Sequence, residues 1–176
     1  MAQDMTLTGV ERFFDDDELI VSKTDLKGRI TYANDVFLRV AGYTEQEVLG
    51  QPHSIVRHPD MPRCVFKLLW DTIQARSEIF AYVVNRAKNG DHYWVLAHVT
   101  PSYDQSGKMV GFHSNRRVPD KGIVNGTIVP LYKALLDEEN RHSNAKQGMQ
   151  SAFEMVVGVL EEKGMAYDQF VFSLDH

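Results

Sequence analysis

The chain has 176 residues, 43% hydrophobic and 24% charged, which is apolar enough to bury a core and too apolar for a disordered chain. A formal net charge of -5 leaves no basic stripe, which argues against a general nucleic-acid or anionic-membrane binder. The lone cysteine, Cys64, has no partner for an intrachain disulfide and fits a reducing compartment.

After a charged lead-in over residues 1–17, residues 19–24 and 29–33 read as a hairpin joined by the turn chemistry of Asp25 to Gly28. Asn34 or Asp35 can cap a short helix that Gly42 ends, and Thr44 to Glu47 form a capping box for another, ended by Gly50. Pro52, Pro59 and Pro62 forbid a long helix through "SIVRHPDMPR". Pro62 suits the first turn of a helix running to about Ala75, with Val65, Phe66, Leu69, Trp70 and Ile73 at helical spacing. Three strands follow, over 79–86, 93–101 and 109–118, joined by turns at Lys88-Asn89-Gly90-Asp91 and at 104–108. The expected fold is α+β, an antiparallel sheet with helices packed on one face. Beyond Pro119 the pattern predicts helices over 129–142 and 147–163, closed by Gly164, and a short strand in "YDQFVFSLDH".

The chemistry concentrates in Arg57-His58-Pro59-Asp60. As a plain loop, Asp60 would cap the helix beginning near Pro62. As a cofactor clamp, arginine offers a planar cationic fork for a pyrophosphate or a ring carbonyl, and histidine can follow a charge change with a proton. Asn85, on what reads as a central strand, needs partners for a buried amide; these are a neighbouring loop or the pyrimidine edge of a ligand, which wants donor and acceptor together. His53, His58 and Cys64 have no zinc spacing. Trp70 and Trp94 read as core residues and as candidate pocket aromatics. No hydrolase, Walker or dinucleotide-fold motif is present, so an enzyme is not expected.

The order of elements, with "ITYANDVFLRVAGYTEQEVLGQPHSIVRHPDMP" and "NRAKNGDHYWVLAHVTP", resembles the PAS sensor family over residues 18–118. Within that family it is most similar to the FAD-holding PAS domains of bacterial energy-taxis receptors, in the stand-alone form. The resemblance implies a five-stranded antiparallel sheet and a flavin between sheet and helices whose redox state is the signal. It also implies a cofactor site of Asn34, Arg57, His58, Asp60 and Asn85. Those domains usually carry a tryptophan where this chain has Ile79-Phe80, and Phe80 is the candidate replacement. A haem held by His58 or His53 is the alternative ligand, and a cofactor-free interaction module the alternative role. Cys64 lacks the "NCRFLQ" context of a light-sensing flavin adduct and reads as a small buried residue. With no basic region and apolar run at the N-terminus, and no apolar run of about 18 residues, a cytoplasmic location is expected. Residues 119–176 form a helical extension whose apolar stripe, Met149 to Leu160, is expected to meet a second copy or a chemotaxis transducer rather than its own core.

Overall fold

A computed structural model describes residues 6–175. Five antiparallel strands, β1 (Ile20–Asp25), β2 (Ile30–Ala33), β3 (Ile79–Arg86), β4 (His92–Tyr103) and β5 (Met109–Arg117), form one sheet. Its order is β2-β1-β5-β4-β3. Side chains alternate across a strand, so the register assigns the faces. Ala81, Ala97, Arg116 and Ile20 share one row, and Ile79, Val99, Ser114 and Ser22 the next. The same face carries Val83 and Asn85, opposite Val95 and Tyr93.

That face is covered by α1 (Asp35–Ala41), α2 (Glu45–Val48), a 3-10 turn (His53–Val56) and α3 (Arg63–Gln74). Local sequence sets these boundaries. Asn34 caps α1 by accepting the Phe37 N–H at 3.0 Å, and Gly42 ends it at φ 74°, a left-handed conformation that glycine adopts without strain. Thr44 and Glu47 form the expected capping box of α2. The lead-in lies along the start of β4, where the Arg12 N–H donates to the His92 carbonyl at 2.7 Å and Arg12 pairs with Asp91 at 2.8 Å. The part of the lead-in before Thr6 lies outside the described residues.

The C-terminal region differs from expectation in three ways. Its first helix begins earlier, with α4 (Lys121–Ile123) continuing through a π-helical stretch (Val124–Ile128) into α5 (Val129–Asn140). Pro130 has no N–H to donate and its ring crowds the preceding turn; a widened turn relieves both. Next, α6 (Ala145–Lys163) packs its stripe within the chain. Ala152 and Val156 are buried, and Met149, Phe153 and Leu160 pack against the core, so this face is not left for a second copy. Finally, the tail is a helix, α7 (Tyr167–Ser173), and not a strand. Tyr167, Phe170 and Val171 fit helical spacing while Phe170, Phe172 and Leu174 fit alternation, and in so short a run the packing decides.

β3 is an edge strand, contrary to the central position expected for it. Its outer edge is covered by three devices. The Asp168 carboxylate of α7 accepts the Phe80 N–H at 3.0 Å, the Tyr132 hydroxyl of α5 donates to the Tyr82 carbonyl, and the backbone of Arg57 bridges Asn85. An open edge would otherwise present unpaired N–H and C=O groups to other chains.

Candidate functional site

Between the sheet and the helices lies a cavity of about 310 Å³, at the lower end of the ~300–1,000 Å³ typical of small-molecule sites. Its floor is Ser22 and Thr24 of β1, Val83 and Asn85 of β3, Ala97 and Val99 of β4, and Phe112, Ser114 and Arg116 of β5. Its roof is Phe66, Leu69, Trp70 and Ile73 of α3. Pro52, His53, Ser54, Val56 and Arg57 close one side, and Lys27 and Gly28 another. The walls are mainly apolar, and the charged lining residues are Lys27, Arg57 and Arg116, with no aspartate or glutamate among them.

The Pro-bounded loop places Arg57 by running along the β3 edge. Arg57 bridges Asn85 through its backbone, and its guanidinium stacks on the Phe66 ring at 4.7 Å, a cation–π contact. Asn85 is 4% exposed. Its amide makes no side-chain hydrogen bond among the described residues and is left for whatever enters the cavity.

A polar chain runs along the floor. Arg116 donates from Nη2 to the Ser22 Oγ, and that hydroxyl lies 3.0 Å from His53 Nε2. Every proton has a place if Ser22 donates to a neutral His53. Part of the His53 surface is accessible, but its ring is densely surrounded by protein. That burial, and then the Arg116 charge, push its pKa down to about 3. Burial also pulls Arg116 down to about 10, still charged at neutral pH.

Of the residues singled out from sequence, Arg57, Asn85, Trp70 and the alternative haem ligand His53 meet in this cavity. Trp70 forms part of the roof and stands edge-on to Phe112 at 5.4 Å. The others do not line it. Asn34 is committed to backbone, capping α1, accepting the Val21 N–H at 3.0 Å and donating to the Leu19 carbonyl at 2.8 Å. His58 is buried behind the loop, its Nδ1 accepting the Asp60 N–H at 3.1 Å, while the Asp60 side chain is 74% exposed. Asp60 does not cap α3 either. The Glu139 carboxylate of α5 accepts the Cys64 N–H there at 2.9 Å. Phe80 and Trp94 lie on the opposite sheet face, where Phe80 stacks on His98 at 4.0 Å and Trp94 packs near Tyr132 at 6.1 Å. A one-residue offset along a strand reverses the face, so Phe80 does not replace the missing aromatic, and Trp70 supplies the cavity's large flat surface instead. Cys64 lies outside the cavity, its thiol pushed up to about 12 by burial and then by Glu139, which leaves it unreactive.

Sequence reasoning passed over Arg116, Ser22, Ser114, Thr24 and Lys27 and weighed His53 only as a metal ligand. One signal was available. In "GFHSNRR" alternation puts Ser114 and Arg116 in phase with the core residue Phe112, which marks polar groups at inward positions.

The antiparallel sheet with helices over one face and a cavity between them defines an α+β domain, and residues 30–116 match the family model described as the PAS fold. Those residues belong to the PAS family. It is similar to the aerotaxis receptor of Escherichia coli (strain K12), at 49% identity over 121 residues, which are 68% of this chain and 23% of that receptor. It is also similar to the nitrogen fixation regulatory protein of Klebsiella pneumoniae, at 29% identity over 97 residues, 55% of this chain and 20% of that protein. The chain thus spans less than a quarter of the length of these two curated relatives. Among solved structures, the PAS domain of a protein from Colwellia psychrerythraea superposes with a TM-score of 0.53 at 21% identity, covering 58% of this chain and 87% of that one. The light-state dimer of the fungal blue-light photoreceptor Vivid gives 0.52 at 25% identity, covering 61% and 82%. No helix among the described residues is long and apolar enough to cross a membrane.

Proposed function

We propose that this PAS domain holds FAD non-covalently and acts as a redox sensor, not an enzyme, that signals to a chemotaxis-type receptor. The observation that carries this reading is the sign of the cavity: three cations and no carboxylate around mainly apolar walls. Such a lining suits a flat apolar ring with electron-rich edges and an anionic tail. The enclosed space of about 310 Å³ suits a ring system, and leaves the pyrophosphate to the mouth, where Lys27 is exposed and Arg57 half-exposed. Asn85 would meet the pyrimidine edge, since one amide offers donor and acceptor together. Phe66, Leu69, Trp70 and Val83 would exclude water. The bound flavin would supply electron uptake and release, and the chain's part is to hold it and respond to its charge. The reading is supported by the likeness to an aerotaxis receptor and by the resemblance of the motifs to FAD-holding domains. A change at the ligand would bias a two-state element that a separate signalling protein reads, in a cytoplasmic setting and with the chain as a homodimer.

A haem is less well served. His58 is outside the cavity, and the Nε2 of His53 is engaged by Ser22. The test is the absorption spectrum of the purified protein, before and after anaerobic reduction. Flavin bands that bleach are expected, and Asn85→Ala and Arg57→Ala should each weaken FAD uptake about tenfold or more, the cost of a charged or buried hydrogen bond. A Soret band, or a protein that fails to take up added FAD, would overturn the reading.

A further inference from the structure

Arg116 is the largest fully buried side chain among the described residues, at 2% exposure. It rises from β5 in the row of Ala81, Ala97 and Ile20, surrounded by apolar neighbours. Its Nη2 reaches Ser22 and its guanidinium lies 5.3 Å from the Phe37 ring centre. Its Nε and Nη1 are shielded from solvent and have no hydrogen-bond partner. No carboxylate pairs with it among the described residues, and its titratable neighbours supply no negative charge at neutral pH: burial lowers the pKa of His53 and His113 and keeps the Tyr93 phenol protonated. Removing a cation from water without a counter-charge is costly, and a fold that keeps one has a use for it. The residue lines the cavity, so the missing counter-charge can come from there.

We infer that Arg116 is the counter-charge for the cavity's ligand, and that with a flavin it favours the reduced, anionic form over the oxidised one. The second half rests on the FAD reading above; the first does not. When oxidised flavin takes two electrons from an external donor such as dithionite and one proton from water, one N–H bond forms and the ring keeps a single negative charge. A neutral cavity penalises that charge. A buried guanidinium at the cavity wall offsets it through space, because the low-dielectric surroundings strengthen the attraction. Arg116 is therefore a binding and tuning group, distinct from Arg57, which the loop presents nearer the surface.

The test uses the full chain with Arg116→Met, Arg116→Gln and Arg116→Lys. Without ligand, Arg116→Met should melt at a higher temperature than wild type, because it removes an uncompensated buried charge. With FAD, Arg116→Met and Arg116→Gln should bind about 10- to 100-fold more weakly, and their loss should be greater for the reduced than for the oxidised form. The flavin midpoint then moves to more negative values, and Arg116→Lys restores part of the shift. If Arg116→Met or Arg116→Gln lowers the melting temperature of the free protein and leaves FAD affinity and midpoint unchanged, Arg116 is a core residue only and the inference falls while the redox reading stands. If wild type takes up no FAD, the redox reading fails, and the melting temperatures alone decide. A rise on removing the charge supports a different anionic ligand, and a fall overturns the inference. Should the methionine variant not fold, glutamine, which removes the charge and keeps a hydrogen-bonding group for Ser22, carries the same comparison.

Discussion

His53 shows how a single residue in the cavity wall ties stability to pH. Burial first, and the neighbouring Arg116 charge second, hold its folded pKa near 3, against about 6.5 when unfolded. Below pH 6.5 the unfolded chain takes up a proton that the folded chain refuses. Stability is therefore full above that pH and falls as pH drops toward about 3. The slope from this one residue reaches up to about 1.4 kcal/mol per pH unit. His58 and His113 are also lowered by burial, and add to the loss in the same direction. His53→Gln, which keeps a partner for Ser22, should flatten urea-derived stability between pH 6.5 and 4.5 by that amount. An unchanged slope would show that the ring is better solvated than its surroundings suggest.

At the scale of elements, α3 is the roof of the cavity, and its N-terminus is held from a distance. Pro62 precedes it without a side-chain cap, and Glu139 of α5 supplies the acceptor instead, receiving the Cys64 N–H at 2.9 Å and lying 3.3 Å from the Arg63 Nε. A carboxylate at this place meets orphan N–H groups and the positive end of the helix dipole. The α5–α6 contact is close. A side chain at Gly148 would collide with the Glu139 carbonyl, so the two helices leave no room for a larger residue. Glu139→Ala should cost about 1–3 kcal/mol, the cost of stranding a buried donor, with faster hydrogen exchange at the Cys64 amide. Glu139→Gln, whose amide oxygen still accepts, should cost less. Equal exchange in all three proteins would mean that water replaces the cap freely.

For the whole molecule, the helices after Pro119 complete the domain more than they extend it. They cover the β3 edge through Asp168 and Tyr132, bury Leu135, Ala152 and Val171, and cap α3. A chain ended after Pro119 should expose that edge together with Phe80, Tyr82 and Trp94. The expected result is strong binding of a hydrophobic dye and concentration-dependent association in the ultracentrifuge, with a lowered melting temperature. A truncated chain that stays monomeric and melts as the full chain does would show these helices to be dispensable. Because α3 touches both the cavity and these helices, a change in the cavity has a short packed route to them.

Signals within a few residues of one another were legible without the structure. Asn34 and the Thr44–Glu47 capping box, the glycine turns, the five strands and α3 follow from local hydrogen bonding, backbone freedom and side-chain period, which depend only on neighbours in the chain. The motif resemblance added the family and, within the cavity, Arg57 and Asn85. Tertiary structure alone decided the rest. Whether Asn34 faces a ligand or a helix end, which strand lies at the edge, that Phe80 and Trp94 point away from the cavity, and that Glu139 caps a helix 75 residues away all depend on register and docking between distant segments. The buried charge of Arg116 is of the same kind. Its inward phase can be read from alternation, but its lack of a partner is a property of everything packed around it.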